Sequence, residues 1–241
     1  MARMYRGRAR RLVLLLVAGV LAHTATALDV VVTRHAETLA NVTKVYSSFN
    51  QRHFTEAGEK QLAALTDMLR EHRFDAILVS PATRVLRTIQ PYLEATGQTA
   101  EIWPELEECC WQRNRESERT PPGDPILLEP EQRPLFLLRA GAAEVAPGNE
   151  SYVEGVRRAR QLAIDIRKRW GGTNARILVV GHYHTGARLV EALVDDPRAA
   201  SRLRIDNARL THLKEMDGRF TLVGLNEEQL HLQPSVPAEE P

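Results

Sequence analysis

An arginine and a histidine, Arg34 and His35, stand side by side at the end of a short apolar run. The run before them, Val30-Val31-Val32-Thr33, is β-branched and apolar on both faces, which is typical of a buried central strand in a parallel sheet. Ligands of open α/β sheets bind just beyond the carboxyl ends of strands, where this pair emerges. Histidine offers a nitrogen nucleophile near neutral pH, and arginine binds phosphate oxygens with two donors. The pair suits attack on a phosphoryl group, although such a pair alone is more simply explained as a strand-end cap.

Charged side chains also follow three other predicted strands, and in a parallel sheet the carboxyl ends of strands share one edge. Two arginines, two histidines and a glutamate can therefore converge on one pocket. Each has a simpler explanation by itself, such as a solvated helix residue or a core histidine, but convergence at four strand ends disfavours those explanations. The three groups are Arg84 after a strand at 76–80, His182 after a strand at 176–181, and Glu105, Glu107 and Glu108 after a strand at 101–103.

Five segments in this order form a specific set of motifs, although each alone is weak. They are Arg34-His35-Ala36-Glu37-Thr38 with Asn41 downstream, Thr55-Glu56-Ala57-Gly58, the Ser-x-x-x-Arg-x-x-x-Thr segment Ser80–Thr88, Leu106-Glu107-Glu108, and Gly181-His182. Over roughly residues 28–195 the chain resembles the histidine phosphatase superfamily, the phosphoglycerate-mutase-like clan. Ala36 departs from the usual glycine, so the loop has to accommodate a Cβ atom. Residues 109–149 lack the tyrosine-glycine pattern of phosphoglycerate mutases, which favours a phosphatase over a mutase-type phosphotransferase.

The resemblance implies a role for each matching residue in the phosphate pocket. His35 would be the nucleophile and form a phosphohistidine, with a backbone hydrogen bond to its other ring nitrogen fixing the reactive tautomer. Arg34, Arg84, Asn41 and His182 would bind the phosphoryl oxygens, and His182 would also take part in catalysis. A transfer without a metal ion or cofactor needs this fixed positive charge and these donors.

Three neighbouring glutamates are candidates for the proton donor. By the Leu-x-Glu pattern, Glu108 would protonate the leaving oxygen and then activate water to hydrolyse the phosphoenzyme. Glu105 and Glu107 lie too close in the sequence to be ruled out as the donor.

Two other classes of function compete with an exported phosphomonoesterase. One is a catalytically weak domain that binds a phosphorylated ligand on the same fold. The other is a metal hydrolase that uses His182 and His184 with His35, but that motif lacks a following acidic ligand. We expect a small phosphorylated substrate, whose identity the sequence does not specify.

Residues 1–27 have the three-part layout of a secretory signal peptide. Five arginines precede the apolar run 12–22, and Ala25-Thr26-Ala27 supplies small residues for cleavage. The apolar run is shorter than the about 20 residues that span a bilayer, and an uncleaved membrane anchor is the main alternative. We therefore expect a secreted or periplasmic protein with no membrane contact after cleavage.

Composition argues against a nucleic-acid-binding surface and against a disulfide framework. The whole chain has 32 basic and 31 acidic residues, and without the five arginines of the signal 27 remain against 31, a net charge of −4. This balance does not indicate a nucleic-acid-binding surface. The only cysteines, Cys109 and Cys110, are adjacent; neighbouring cysteines rarely bridge each other, so no disulfide framework is expected.

Strand and helix patterns alternate from residue 28 onward, which predicts a three-layer α/β/α sandwich with a mostly parallel central sheet. Asp217-Gly218 predicts a hairpin at the end of this domain, which we place at 28–228. The proline- and arginine-rich stretch 109–149 interrupts the alternation and is expected to be a substrate-side insertion or lid. The polar tail 229–241 is expected to be disordered.

Overall fold

The computed structural model describes residues 26–113, 115, 117–196 and 203–232. The expected signal peptide therefore lies outside the described residues except for its last two positions. Among the described helices, none has both the length and the apolar character needed to cross a bilayer. The tail expected to be disordered from residue 229 is described as far as 232, and Leu230 is buried there in the core. The packed domain thus extends slightly beyond 228.

A seven-stranded sheet forms the middle layer, and this confirms the predicted fold class. Its strand order is β4-β3-β2-β5-β1-β6-β7. The first five strands in this order run parallel to one another. β6 is antiparallel to β1, and β7 is antiparallel to β6. The strands are β1 (Asp29–Arg34), β2 (Ala76–Val79), β3 (Ala100–Ile102), β4 (Phe136–Leu138), β5 (Arg176–Gly181), β6 (Leu210–Met216) and β7 (Arg219–Glu227).

The described part of the chain contains six helices, and helices lie on both sides of the sheet. Thr55 and Ser151, side chains that suit the start of a helix, each accept a hydrogen bond from a first-turn amide. The helices are α1 (Leu39–Thr43), α2 (Ser48–Arg52), α3 (Glu56–Leu69), α4 (Thr83–Thr96), α5 (Tyr152–Trp170) and α6 (Tyr183–Val194). A 3₁₀ turn at Pro104–Leu106 follows β3.

The apolar run of β1 is buried on both faces, as its composition predicts. Val31 packs into a cluster that includes buried side chains of α3 and α4. Val30 and Val32 point the other way, into a cluster that includes side chains of α5 and α6. Successive residues of a strand face opposite sides, so only a run that is apolar throughout can fill both cores.

The insertion 109–149 contains a strand that the sequence did not predict. β4 pairs in parallel with β3 at the edge of the sheet, and Phe136 is buried there. With only three residues, β4 is too short to show a periodic pattern, which explains the omission.

The two adjacent cysteines form a disulfide, contrary to the expectation from their spacing. Both are buried, and Cys110 has a left-handed backbone conformation with φ 68°. Gly155 of α5 makes room for them, because a Cβ atom there would lie 2.9 Å from Cβ of Cys109 and 3.0 Å from Sγ of Cys110. Tight packing against α5 thus accompanies a disulfide that is rare between cysteines adjacent in the sequence.

Candidate active site

The carboxyl ends of β1, β5 and β2 are aligned, which brings their following residues to one edge of the sheet. Arg34 pairs with Gly181 in the parallel register of β1 and β5. The amide of His35 donates to the carbonyl of Gly181 at 3.0 Å, and the amide of Ser80 donates to the carbonyl of Val180 at 3.1 Å. His35, Ser80 and the residue after Gly181 therefore open into the same space, as the strand-end pattern predicted.

His35 is almost completely buried and is held by its own loop. Its Nδ1 lies 2.8 Å from the carbonyl oxygen of Ala36, so Nδ1 carries the proton and Nε2 keeps its lone pair. Burial, with the positive charges of Arg84 and Arg34, lowers the pKa of His35 well below its usual range, against the opposing effect of the Ala36 hydrogen bond. The imidazole is therefore neutral at neutral pH and can act as a nucleophile through Nε2.

The loop after His35 is fixed by α4 and accommodates the unusual Ala36. The amide of Ala36 donates to Oγ1 of Thr88 at 3.0 Å, and that hydroxyl donates to the carbonyl of Arg84 at 2.6 Å. Ala36 is fully buried in the apolar cluster, so its Cβ atom is packed rather than strained. The threonine of the Ser-x-x-x-Arg-x-x-x-Thr segment thereby connects the nucleophile loop to the helix turn that carries Arg84.

Gly58 explains the Thr-x-x-Gly motif by close approach. A Cβ atom at Gly58 would lie 2.1 Å from the carbonyl oxygen of Glu37, so only glycine fits where α3 meets the loop. Thr55 caps α3 and also donates to Oε1 of Glu37 at 2.7 Å. Both residues of the motif therefore support the segment that carries His35.

Arg84 and His182 form a hydrogen-bonded pair. Nη2 of Arg84 lies 3.1 Å from Nδ1 of His182, which makes Nδ1 the acceptor and leaves the proton of a neutral ring on Nε2. Nε2 in turn lies 2.7 Å from Oγ of Ser80. Burial and the charge of Arg84 lower the pKa of His182 well below its usual range. His182 is therefore a neutral hydrogen-bond donor in this pocket.

Arg34 contributes positive charge from a largely buried position. Burial lowers its pKa, whereas the negative charge of Glu108 opposes that shift. Nη1 donates to the carbonyl of Ile205 at 3.3 Å, and the guanidinium lies over the ring of Tyr183 at 5.2 Å. Its Nε is buried without a hydrogen-bond partner among the described residues. A buried donor of this kind is costly unless a ligand satisfies it, which fits an anion-binding role.

The three glutamates point in different directions. Glu105 pairs with Arg139 and is not brought to the histidines. The carboxylate of Glu107 lies 3.6 Å from Nε2 of His182. The carboxylate of Glu108 accepts from the Thr185 amide at 3.0 Å and the Cys109 amide at 3.1 Å, at the start of α6. Two carboxylates therefore remain near the pocket, and the structure separates them from the third.

Asn41 lies beside the nucleophile loop and supports it. Its Oδ1 accepts from the amide of Thr38 at 3.0 Å and from the hydroxyl of Thr38 at 3.2 Å. Asn207 donates to Oδ1 of Asn41 at 3.3 Å and to the carbonyl of His35 at 2.7 Å. The side-chain oxygen of Asn41 is thus engaged in holding the loop, and the phosphate-binding role of Asn41 stays a prediction.

Three polar residues of the pocket were not predicted from the sequence to belong to it: Ser80, Thr185 and Asn207. Ser80 had a signal, because it begins the Ser-x-x-x-Arg segment. Asn207 lies in an irregular loop before β6, where no pattern indicated a role. The metal-site alternative with His184 gains no support, because no three metal-binding side chains cluster anywhere in the described ranges.

The matching family model is that of the histidine phosphatase superfamily (branch 1), and it covers residues 30–228. The chain belongs to this superfamily. This confirms the resemblance seen in the motifs.

Individual relatives are phosphatases. An adenosylcobalamin/alpha-ribazole phosphatase of Salmonella typhi is 39% identical over 75 residues, which is 31% of this chain and 37% of that protein. The match thus spans little more than a third of that relative's length. The alpha-ribazole phosphatase structure from Shigella flexneri has a TM-score of 0.62 at 18% identity, covering 85% of this chain and 99% of that one. A mycobacterial glucosyl-3-phosphoglycerate phosphatase has a TM-score of 0.58 at 24% identity, covering 82% and 98%.

Proposed function

We propose that the protein is an exported phosphomonoesterase that acts through a phosphohistidine on His35. The observation that carries the proposal is the buried, neutral imidazole of His35, with its Nδ1 proton held by the Ala36 carbonyl. Nε2 is then available to attack phosphorus beside two arginines. Membership of the superfamily and the phosphatase activity of its relatives support the same conclusion.

In the first step, Nε2 of His35 forms a bond to phosphorus while the bond from phosphorus to the ester oxygen breaks. Arg34 and Arg84 donate to the phosphoryl oxygens and stabilise the charge on them, and the Nε2–H group of His182 does the same in place of its hydrogen bond to Ser80. Glu108, in its protonated form, delivers a proton to the leaving oxygen, so that an alcohol rather than an alkoxide departs. Its proximity to Arg34, at the edge of the phosphate pocket, supports this role.

In the second step, water attacks the phosphohistidine and the bond from nitrogen to phosphorus breaks. The carboxylate of Glu108 takes a proton from that water, which restores the acid form for the next cycle and releases inorganic phosphate. The two arginines supply the fixed positive charge that a metal ion supplies in other phosphoryl-transfer enzymes. We therefore expect turnover to persist in a strong chelator, and loss of activity that returns with a divalent ion would contradict this.

The substrate is expected to be a small phosphate monoester. The Salmonella enzyme, which is 39% identical to this chain over 75 residues, makes alpha-ribazole phosphate the first compound to test. Purified protein from residue 28 onward should be assayed against that ester, sugar phosphates, nucleotides, phytate and phosphopeptides, with release of inorganic phosphate as the readout. Absence of turnover combined with measurable phosphate binding would instead favour a binding domain without catalysis.

Export is proposed from the arginine-led apolar segment, and the Cys109–Cys110 disulfide supports it, since disulfides persist in oxidising compartments such as the periplasm. Mass spectrometry of the protein recovered from a periplasmic or secreted fraction should give an N-terminus near Leu28. An intact N-terminus in the cytosolic fraction would contradict export.

A further inference from the structure

Polar groups of the proposed phosphate pocket lie close to the carboxylate of Glu107. Its Oε1 lies 3.6 Å from Nε2 of His182 and 3.8 Å from Nη2 of Arg84. Its Oε2 accepts from the hydroxyl of Ser80 at 3.4 Å. Glu107 occupies the unspecified middle position of the Leu-x-Glu motif.

The hydrogen bonds in this part of the pocket run in one direction and end at Glu107. Arg84 donates to Nδ1 of His182, and because that ring is neutral its Nε2 donates to Oγ of Ser80 at 2.7 Å. The Ser80 hydroxyl then donates to Glu107. An anion is the natural end of such a chain, since every preceding group contributes a proton donor.

The backbone on either side keeps the carboxylate of Glu107 in this position. Its carbonyl accepts from Nη1 of Arg158 at 2.9 Å and from Oγ1 of Thr185 at 2.8 Å. Its Oε1 also accepts from the amide of Glu108 at 3.0 Å. The charged groups around this carboxylate are therefore Arg84 from α4, Arg158 from α5 and the neighbouring Glu108, and the neutral ring of His182 lies at the start of α6.

We propose that Glu107 competes, through its negative charge, with the phosphoryl group for Arg84 and His182, and so limits the affinity of the site for phosphate. This inference rests on the proposed function, because it assumes that phosphate binds to these donors. A phosphoryl group that reaches them comes within a few ångströms of the carboxylate, and two like charges at that separation repel. The consequence for turnover is that inorganic phosphate, the product, is released more readily.

The test measures binding of inorganic orthophosphate by titration calorimetry at pH 7.5, and inhibition by orthovanadate. Glu107→Gln keeps the size of the side chain but removes its charge, and Glu107→Ala removes both. Both variants should bind phosphate about tenfold more tightly than the wild type or better, because the repulsion is lost. Glu105→Gln is the matched control, since Glu105 pairs with Arg139 away from the histidines, and it should bind phosphate within twofold of the wild type.

Unchanged or weaker phosphate binding by a folded Glu107→Gln protein would overturn the inference, with folding checked by its thermal unfolding curve. Tighter binding by Glu107→Ala alone would also overturn it, because that pattern reports volume and not charge. If the wild type hydrolyses phosphate esters while Glu107→Gln binds phosphate no more tightly, only this inference fails. If the wild type neither hydrolyses esters nor binds phosphate, the proposed function fails and this inference fails with it.

Discussion

The imidazole rings of His35 and His182 lie 5.5 Å apart between centroids and are inclined by 69°. They follow β1 and β5, which are adjacent and parallel, so the register of two strands sets the distance between the rings. Burial lowers the pKa of both histidines, and the positive charges of Arg84 and Arg34 lower it further. Two neutral imidazoles beside two guanidinium groups would bring the proposed nucleophile and a hydrogen-bond donor within reach of one phosphoryl group.

Replacing the nucleophile should abolish turnover without unfolding the protein. We expect His35→Ala to lower kcat by at least about 10³-fold, because the proposed phosphohistidine can then no longer form. Rapid quenching of the wild type in alkaline detergent with ³²P-labelled substrate should trap label on the protein that is retained in base and lost on later treatment with acid.

His35→Asn is a sharper version of the same test. The asparagine amide can still donate to the Ala36 carbonyl, so the loop keeps its hydrogen bond, but it offers no nucleophile. Both variants should be inactive and should form no labelled protein. Appreciable turnover in either one, or no label on the wild type under conditions where the intermediate accumulates, would argue against His35 as the nucleophile.

The depressed pKa values of His35 and His182 predict acid-sensitive stability. The unfolded chain, with a histidine pKa of about 6.5, binds these protons more tightly than the folded chain does. Stability from the neutral rings is therefore fully present above pH 6.5 and falls as the pH drops towards the lower folded-state pKa. Each ring accounts for at most about 1.4 kcal/mol per pH unit in that window.

Urea unfolding between pH 5 and pH 8 measures this dependence. The wild type should lose stability steadily below pH 6.5, and His35→Asn should lose less per pH unit because one of the two rings is gone. We also expect kcat/KM to stay high below pH 6.5, because the lowered pKa keeps the imidazole of His35 neutral there. Equal slopes for the two proteins would mean that His35 titrates normally in the folded state.

The convergence of the site was predictable from the sequence, whereas the orientation of its side chains was not. Apolar runs at β1, β2 and β5 indicated parallel strands, and parallel strands place their following residues at one edge. The direction of Glu107 depends on Arg158 and Thr185, which are 51 and 78 residues away along the chain. No local pattern reports contacts at that separation, so the sequence alone left three glutamates as candidates.

Arg158 should support both stability and the acid segment. Its guanidinium pairs with Glu150 and donates to the carbonyls of Glu105 and Glu107, so it holds the backbone that carries the proposed donor. Arg158→Lys keeps the charge but loses the forked donors, which we expect to cost about 1.5–3 kcal/mol of unfolding free energy. Arg160→Lys, at an exposed position of the same helix, is the control and should change little. Urea unfolding of both variants checks this. If Arg158→Lys is as stable as the wild type, the forked hydrogen bonds of Arg158 are not needed for stability.

The role of Glu108 is tested by the leaving group. An alkoxide leaving from an alkyl phosphate needs its proton during bond cleavage, whereas nitrophenolate departs readily without one. General acid catalysis is typically worth about 10²–10⁴-fold, so Glu108→Gln should slow phosphoryl transfer from an alkyl phosphate by that order and from nitrophenyl phosphate far less.

The comparison has to use the phosphorylation step, measured before steady state, because Glu108 is also proposed to assist the later attack of water. Glu105→Gln serves as the control, and its rates on both substrates should match the wild type, since that side chain pairs with Arg139. Glu107→Gln distinguishes the two carboxylates near the pocket. A loss that depends on the leaving group in Glu107→Gln but not in Glu108→Gln would assign the proton donor to Glu107, whose carboxylate lies closer to His182. Equal losses on both substrates for Glu108→Gln would instead mean that Glu108 acts on the phosphoryl group or on the start of α6 and not on the leaving oxygen.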